Sequence, residues 1–420
     1  MADVLKPGPT CCYSRLAVWL LATLLAGAYC CSDSSEAAVQ SQRLSPQTYQ
    51  RLSQIHEYLE QERYDTAAHA LEELLPEVSN GGYEKAVVLQ TLGHIEALRD
   101  RYPAAIKAYE QSLALLALPS DAQHPIRYNL AQLYLASGSP VKAIPVLLKW
   151  FEESERPSAR AWFLLGSAYL QAQQYHKAVE PLKMAIAGAD APEEVWYQAL
   201  LAAQYEIGAY AACADLLEEM VRLFPDAEYW RQMAGIYLTL NRYDQALAVL
   251  ELADYQGMLT SEQDVLQLVQ LYLYQGIPYK AAVLLQVSLE GGRVRGNLRH
   301  RELLANAWSE ARERDSAIRM YEQVAASSSL AEPNLHLAQL YMEDERWRAA
   351  SRALEAALDK DGLRDPGNAW LLLGISRCEL EEFGTSRAAF ENAVRYDGSR
   401  DSARQWLEYL DDRSDHAPDG

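Results

Sequence analysis

The chain has 420 residues, with 38 Lys and Arg against 58 Asp and Glu, a formal charge of −20 at pH 7. A chain this acidic repels nucleic acid and anionic lipid surfaces outside local patches. Its six cysteines include no C-x-x-C pair and no even framework, which leaves no disulfide scaffold to expect.

At the start, Lys6 and Arg15 precede an apolar run, Leu16 to Ala28 (LAVWLLATLLAGA), that ends in Ala26-Gly27-Ala28. As a helix this run rises only about 20 Å, too short for a comfortable membrane span. The pattern reads as a secretory signal peptide, residues 1–28, cut after Ala28. An uncleaved anchor is the alternative reading. Lipidation at Cys30 is a third, although Tyr29 stands where a small residue is usual. Residues 29–46 are polar and poor in aromatics and read as a linker, and residues 411–420 (DDRSDHAPDG) as a disordered tail.

Between these ends, residues 47–410 repeat. A degenerate copy at Tyr49 to Pro76 (ERYDTAAHALEELLP at its end) opens the array. The pairs Leu92-Gly93, Leu130-Ala131, Leu165-Gly166, Leu200-Leu201, Met233-Ala234, Leu268-Val269, Leu304-Ala305, Leu337-Ala338 and Leu373-Gly374 follow, 33 to 38 residues apart. Twelve positions after each pair's second residue comes a small one: Ala105, Ala143, Ala178, Cys213, Ala246, Ala281, Ala317, Ala350 and Ser386. Pro103, Pro140 and Pro278 open second helices, where a missing N–H costs nothing. Pro145 and Pro181 fall inside second helices and are expected to kink them. Arg404 to Leu410 (RQWLEYL) reads as a capping helix.

The clearest copy is AWFLLGSAYLQAQQYHKAVEPLKMAIAGADAP, Ala161 to Pro192. Trp162, Leu165, Gly166 and Tyr169 share one face of a first helix, and Ala178, Leu182 and Ala185 share one face of a second. This resembles the tetratricopeptide (TPR) repeat, W-x-x-L-G-x-x-Y then A-x-x-x-F then P, with Leu182 in the place of Phe. The resemblance implies an all-α TPR solenoid, a right-handed superhelix of about ten helix pairs plus a C-terminal capping helix.

Signals for chemistry are sparse. The eight His make no H-E-x-x-H and no paired-ligand spacing. Asp359-Lys360-Asp361-Gly362 places its glycine too early for an EF-hand loop and reads as a helix-terminal turn. No Gly-rich phosphate loop and no G-x-S-x-G occur. Cys213 replaces an inward Ala and reads as a small buried hydrophobe. Arg293, Arg295, Arg299 and Arg301, with His300, form a basic cluster, read as an exposed inter-repeat loop in preference to a docking patch. No enzyme, metal or cofactor is expected, so the function is binding.

Three stretches sharpen this: Trp196 to Ala253 (WYQALLAAQYEIGAYAACADLLEEMVRLFPDAEYWRQMAGIYLTLNRYDQALAVLELA), Asp264 to Leu285 (DVLQLVQLYLYQGIPYKAAVLL) and Asp365 to Ser376 (DPGNAWLLLGIS). They resemble the periplasmic TPR component of TonB-type energy-transduction systems of Gram-negative bacteria. The resemblance implies export to the periplasm and protein partners of the TonB/ExbB/ExbD complex, which energises outer-membrane uptake of iron chelates. Membrane contact would come through a neighbour or an N-terminal anchor. The paired cysteines near the start depart from that family. A generic assembly scaffold for outer-membrane, pilus or exopolysaccharide machinery fits the same solenoid.

In a TPR superhelix the first helices line a concave groove. One residue after the first aromatic, and four and seven further on, lie Tyr128, Gln132 and Leu135, then Phe163, Ser167 and Leu170. The next repeats give Gln198, Ala202 and Tyr205, then Arg231, Gly235 and Leu238, then Leu266, Gln270 and Leu273. The Lys and Asn of a carboxylate-clamp co-chaperone are missing from them. Tyr128, Phe163, Tyr205 and Arg231 are expected to dominate, since aromatics and Arg dominate hot spots. The alternative is that these side chains pack against the solenoid itself.

Overall fold

The structure, a computed structural model, describes residues 43–78 and 82–415. The expected signal peptide, most of the expected linker and the end of the expected tail lie outside the described residues. Among those residues there are 21 helices, and no strand beyond one isolated bridge between Leu330 and Asp361.

Two compact units divide between Ala209 and Tyr210. The first holds Pro46–Glu60 (α1), Tyr64–Leu74 (α2), Tyr83–Leu98 (α3), Tyr102–Ala114 (α4), Ser120–Ala136 (α5), Pro140–Glu152 (α6), Ala159–Gln171 (α7), Tyr175–Ala187 (α8) and Glu194–Glu206 (α9). The second opens with Tyr210–Leu223 (α10), Ala227–Thr239 (α11), Tyr243–Tyr255 (α12), Glu262–Tyr274 (α13) and Pro278–Glu290 (α14). It continues with Leu298–Glu310 (α15), Arg314–Ser327 (α16), Glu332–Glu343 (α17), Trp347–Leu358 (α18), Pro366–Glu379 (α19), Phe383–Ala393 (α20) and Arg400–Asp415 (α21). Within each unit every helix packs on the next. Odd-numbered helices up to α19 are the first helices of the repeats and even-numbered ones the second.

One backbone device ends the first helices. Glu62, Asp100, Gly138, Gln173, Gly208, Asn241, Gly276, Arg312, Glu345 and Glu381 all have positive φ. The N–H three positions after the last helical residue bonds back to a carbonyl near the helix end, as in Gln174 to Tyr169 at 2.9 Å and Arg346 to Tyr341 at 2.8 Å. This is the Schellman closure, which satisfies carbonyls that would otherwise be orphaned. The break between α7 and α8 at Gln173-Gln174 is one instance. Glycine serves at Gly138, Gly208 and Gly276, while seven other residues hold φ between 54 and 60°, a conformation that costs an ordinary residue about 1–2 kcal/mol. Glu62 belongs to this series, so the degenerate opening copy is in register with the rest.

The core follows the expected periodicity. All nine small residues from Ala105 to Ser386 are 0% exposed. Gly166 faces the side chain of Leu182, where a Cβ would lie 2.5 Å from Cγ. Gly93 stands in the same way over the ring of Tyr109. Helices α6 and α8 run on through Pro145 and Pro181, and α5 through Pro125. Asp359 is the C-cap of α18, and Lys360 reaches the carbonyls of Ala325 and Ser328 at 2.8 and 2.9 Å. That stretch is the helix-terminal turn expected of it.

The cap α21 covers Phe390 and Ala393 with Ala403, Trp406, Leu407 and Leu410. It does not stop at Leu410. Residues 411–415, expected in a disordered tail, are helical because polar contacts continue past the apolar seam. Arg387 pairs with Asp411, and the Arg413 guanidinium lies 4.9 Å over the Phe383 ring.

Candidate functional site

The first unit presents five of the expected groove residues: Tyr128 and Gln132 on α5, Phe163 and Leu170 on α7, and Tyr205 on α9. Gln132 is exposed and the other four are half-buried. The rings of Tyr128 and Phe163 pack against further aromatics, together an aromatic belt. Tyr128 lies 5.2 Å from Trp150, which stacks on His124 at 4.6 Å. Trp150 meets the edge of Phe151, and Phe151 lies 4.4 Å from Trp162. Phe163 stacks on Trp196 of the next first helix at 5.3 Å. Beneath the belt the buried Arg127 bonds Glu153 at 2.7 Å and Gln123 at 2.6 Å. Burial raises the Tyr128 hydroxyl pKa, and Arg160 draws it part of the way back. The belt offers flat apolar area with amides at its edge, a surface for stacking rather than for proton transfer.

Trp150 and Phe151 were not among the expected groove positions, because the counting started from first helices. They sit at the end of α6. Their signal in the sequence is the ring pair in LLKWFEE, where most second helices carry none.

The second unit presents Arg231 and Leu238 on α11 and Leu266, Gln270 and Leu273 on α13. Gln270 is exposed and the rest are half-buried. Arg231 was expected to face a partner, but its guanidinium is committed inside the chain. Nε and Nη2 fork onto Asp264 at 2.7 and 3.1 Å, and Nη1 reaches Glu228 at 3.2 Å. Asp264 is 3% exposed and completes the capping box that starts α13 with Ser261. Burial alone would raise its carboxyl pKa, but Arg231 and Ser261 together hold it below the usual carboxylate range. Arg231 joins one repeat to the next.

The same kind of joint recurs at the tyrosine position of the repeat motif. Tyr237 donates its hydroxyl to Glu218 at 2.6 Å, Tyr272 to Glu251 at 2.7 Å and Tyr341 to Glu322 at 2.5 Å, while Tyr134 donates to Glu110. Each glutamate lies on the second helix of the preceding repeat. Arg377 holds that position in the last repeat and bonds Glu355 at 2.5 Å. In the second repeat Glu96 bonds Arg99, which reaches Asp65, both at 2.5 Å. Burial first, and then the carboxylate, pushes Tyr237 and Tyr341 up to about 12. A tyrosine stabilises the fold while protonated, so a raised pKa gives stability that is complete below the free value of about 10. That stability disappears as pH rises through the folded value. Thermal melts of the wild type should therefore fall steeply from pH 10 to 12, and Tyr237→Phe should shallow that fall. At pH 7 the same variant should lose about 1 kcal/mol, the net value of one hydrogen bond.

The four arginines of the basic cluster are exposed, as expected of an inter-repeat loop, and two of them pair within the chain. Arg295 forks onto Glu262 at 2.8 and 3.1 Å, Arg293 bonds Asp254 at 3.2 Å and Ser288 at 3.0 Å, and His300 Nδ1 lies 2.9 Å from the Arg295 carbonyl. Arg299 and Arg301 are exposed. Cys213 is buried, and burial pushes its thiol up to about 11. Among the described residues no group of three or more His, Cys, Asp or Glu could hold a metal ion. No helix among them is long and apolar enough to cross a membrane.

Known proteins give this repeat its name. A family model described as tetratricopeptide repeat matches residues 128–193 and 335–395. The chain carries tetratricopeptide repeats. The fold is all-α TPR throughout the described helices. Among solved structures, a TPR protein from Parabacteroides merdae is 16% identical with a TM-score of 0.37, covering 63% of this chain and 99% of its own. MamA from Desulfovibrio magneticus is 20% identical with a TM-score of 0.36, covering 43% and 97%. The C-terminal part of a TPR protein from Cytophaga hutchinsonii is 16% identical with a TM-score of 0.36, covering 58% and 98%. Likenesses this partial say nothing of what this chain binds. No curated protein matches.

Proposed function

We propose that this TPR protein is a non-enzymatic protein-binding scaffold and that the aromatic belt of the first unit is its docking surface. The observation that carries this reading is the half-burial of Tyr128 and Phe163 at the expected groove positions and of Trp150 and Trp162 beside them, rings left partly open at the surface of the unit. Aromatic area held at fixed geometry binds an extended or helical segment at low entropic cost. Tyr128→Ala and Phe163→Ala should each weaken partner capture by about 1–2 kcal/mol, roughly five- to thirtyfold, and lower the melting temperature by only a few degrees. Normal capture by both variants would remove the belt as the site.

The finer reading places the scaffold in the periplasm beside a TonB/ExbB/ExbD system for iron-chelate uptake. It is supported by the resemblance of Trp196 to Ala253, Asp264 to Leu285 and Asp365 to Ser376, and by the signal-like start. Fractionation of producing cells, with pull-down of TonB, ExbB and ExbD, tests it separately. An intact N-terminus in the cytoplasm, or capture of none of the three, would sink the finer reading and leave the scaffold. A generic assembly scaffold remains the second reading, favoured by the same solenoid.

A further inference from the structure

The aromatic belt is bordered by more acid than base. Residues 120–128, 149–163 and 190–198, which carry its rings, hold seven carboxylates against four Lys and Arg. Two of the seven are answered inside the chain, Glu153 by Arg127 at 2.7 Å and Glu193 by Arg160 at 3.7 Å. Glu152 directly follows Phe151, and Glu155 lies in the turn that leads to α7. Both are exposed and pair with no cation among the described residues.

Elsewhere the chain lays its own cations on aromatic rings. An Arg or Lys lies over the rings of Tyr58, Tyr134, Tyr169, Tyr272, Tyr341 and Phe383, 4.6 to 5.9 Å from the centroid. Among the described residues no Arg or Lys lies in that way over Tyr128, Trp150, Phe151, Trp162 or Phe163. Arg160 acts on the Tyr128 hydroxyl but covers no ring, and its side chain is 65% exposed and reaches toward Glu193. The belt thus has half-open rings and unanswered carboxylates side by side.

We propose that the belt takes a basic segment of its protein partner, with Arg or Lys side chains laid on the rings and Glu152 and Glu155 at their flank. This rests on the belt being the docking surface and adds the charge of what docks there. The face of an aromatic ring is negative, so it attracts a cation and not a carboxylate. Arg suits such a place better than Lys, because its planar guanidinium stacks on a ring and is less strongly hydrated. A chain of charge −20 draws a basic segment in from a distance and turns an acidic one away. A neutral segment would use the rings and leave both glutamates without a partner.

Fluorescence anisotropy of the full chain with two labelled peptides tests this, at roughly 0.15 M salt so that distant charges are screened. One peptide alternates Gly with Arg; the other has citrulline for each Arg, which keeps the shape and removes the charge. The Arg peptide should bind about tenfold more tightly than the citrulline peptide. Trp150→Leu should lose most of that preference, and so should Glu152→Gln with Glu155→Gln, which leaves every ring in place. Tyr255→Leu, which removes a ring 89% exposed outside the belt, should change nothing, and circular dichroism should show every variant folded. Equal binding of the Arg peptide by wild type, Trp150→Leu and the double glutamine variant would mean that it senses net charge alone, and would overturn the proposal. Equal binding of the two peptides, or of neither, would overturn it as well. The belt as docking surface is judged separately by partner capture with Tyr128→Ala and Phe163→Ala, so the two can fail apart.

Discussion

Arg231→Ala should unfold the second unit more readily than any other surface-to-alanine change in this chain. The expected loss is about 3 kcal/mol, the low end of what removing one partner of a buried pair costs, because the Arg231 side chain is itself 33% exposed. The damage comes from what is left behind. Asp264 is 3% exposed, and without the guanidinium its charge remains buried beside only the Ser261 cap. Asp264 also gives the test a pH signature. Its folded pKa is depressed, so its contribution is present above the unfolded carboxylate value of about 3.9. It is lost as pH falls through the folded value. The wild type should therefore lose stability on acidification below about pH 4, and Arg231→Ala should lose less over the same window because it has less to lose. A melting temperature for the variant within a few degrees of wild type at pH 7 would show that Arg231 is free for a partner after all.

That result would also separate two readings that the sequence could not. Counting along a first helix finds which residues share a face, and it placed Arg231 beside Leu238 correctly. It cannot find what a long charged side chain reaches, because Asp264 lies 33 positions away on the next repeat. The tyrosine joints escaped for the same reason. Tyr237, Tyr272 and Tyr341 stand where the repeat motif has its tyrosine, three positions after the second residue of each pair. Their hydroxyl partners Glu218, Glu251 and Glu322 sit at separations of 19 to 21, outside any helical period. The helices and the buried small residues needed only local pattern and were readable. The Schellman turns were half readable, since glycine marks Gly138 and Gly276 while Arg312 and Glu345 adopt the same backbone without any compositional sign. The cap was readable as far as Leu410 because its apolar seam ends there, whereas the last turn is held by charges that periodicity does not weigh.

The remaining test concerns how closely two helices of one repeat meet. Gly166→Leu should cost about 1–3 kcal/mol by overpacking, and Gly166→Ala should cost part of that. The reason is a specific collision. A Cβ at Gly166 would stand 2.5 Å from Leu182 Cγ, 2.6 Å from Cδ2 and 3.3 Å from the Leu182 backbone nitrogen. The branch point of a fully buried leucine cannot swing clear as the end of a surface side chain can, and the backbone nitrogen closes the other way out. Other repeats place Ala at the same position, as at Ala131, Ala234 and Ala305, so the cost depends on the residue facing it rather than on a rule for the position. Shortening that residue should therefore repair the clash. Leu182→Ala alone should cost about 2–5 kcal/mol as a cavity, yet adding it to Gly166→Ala should cost less than the sum of the two. Strict additivity in denaturant midpoints would mean that Gly166 and Leu182 do not touch, and the repeat register would have to be redrawn from this pair outward.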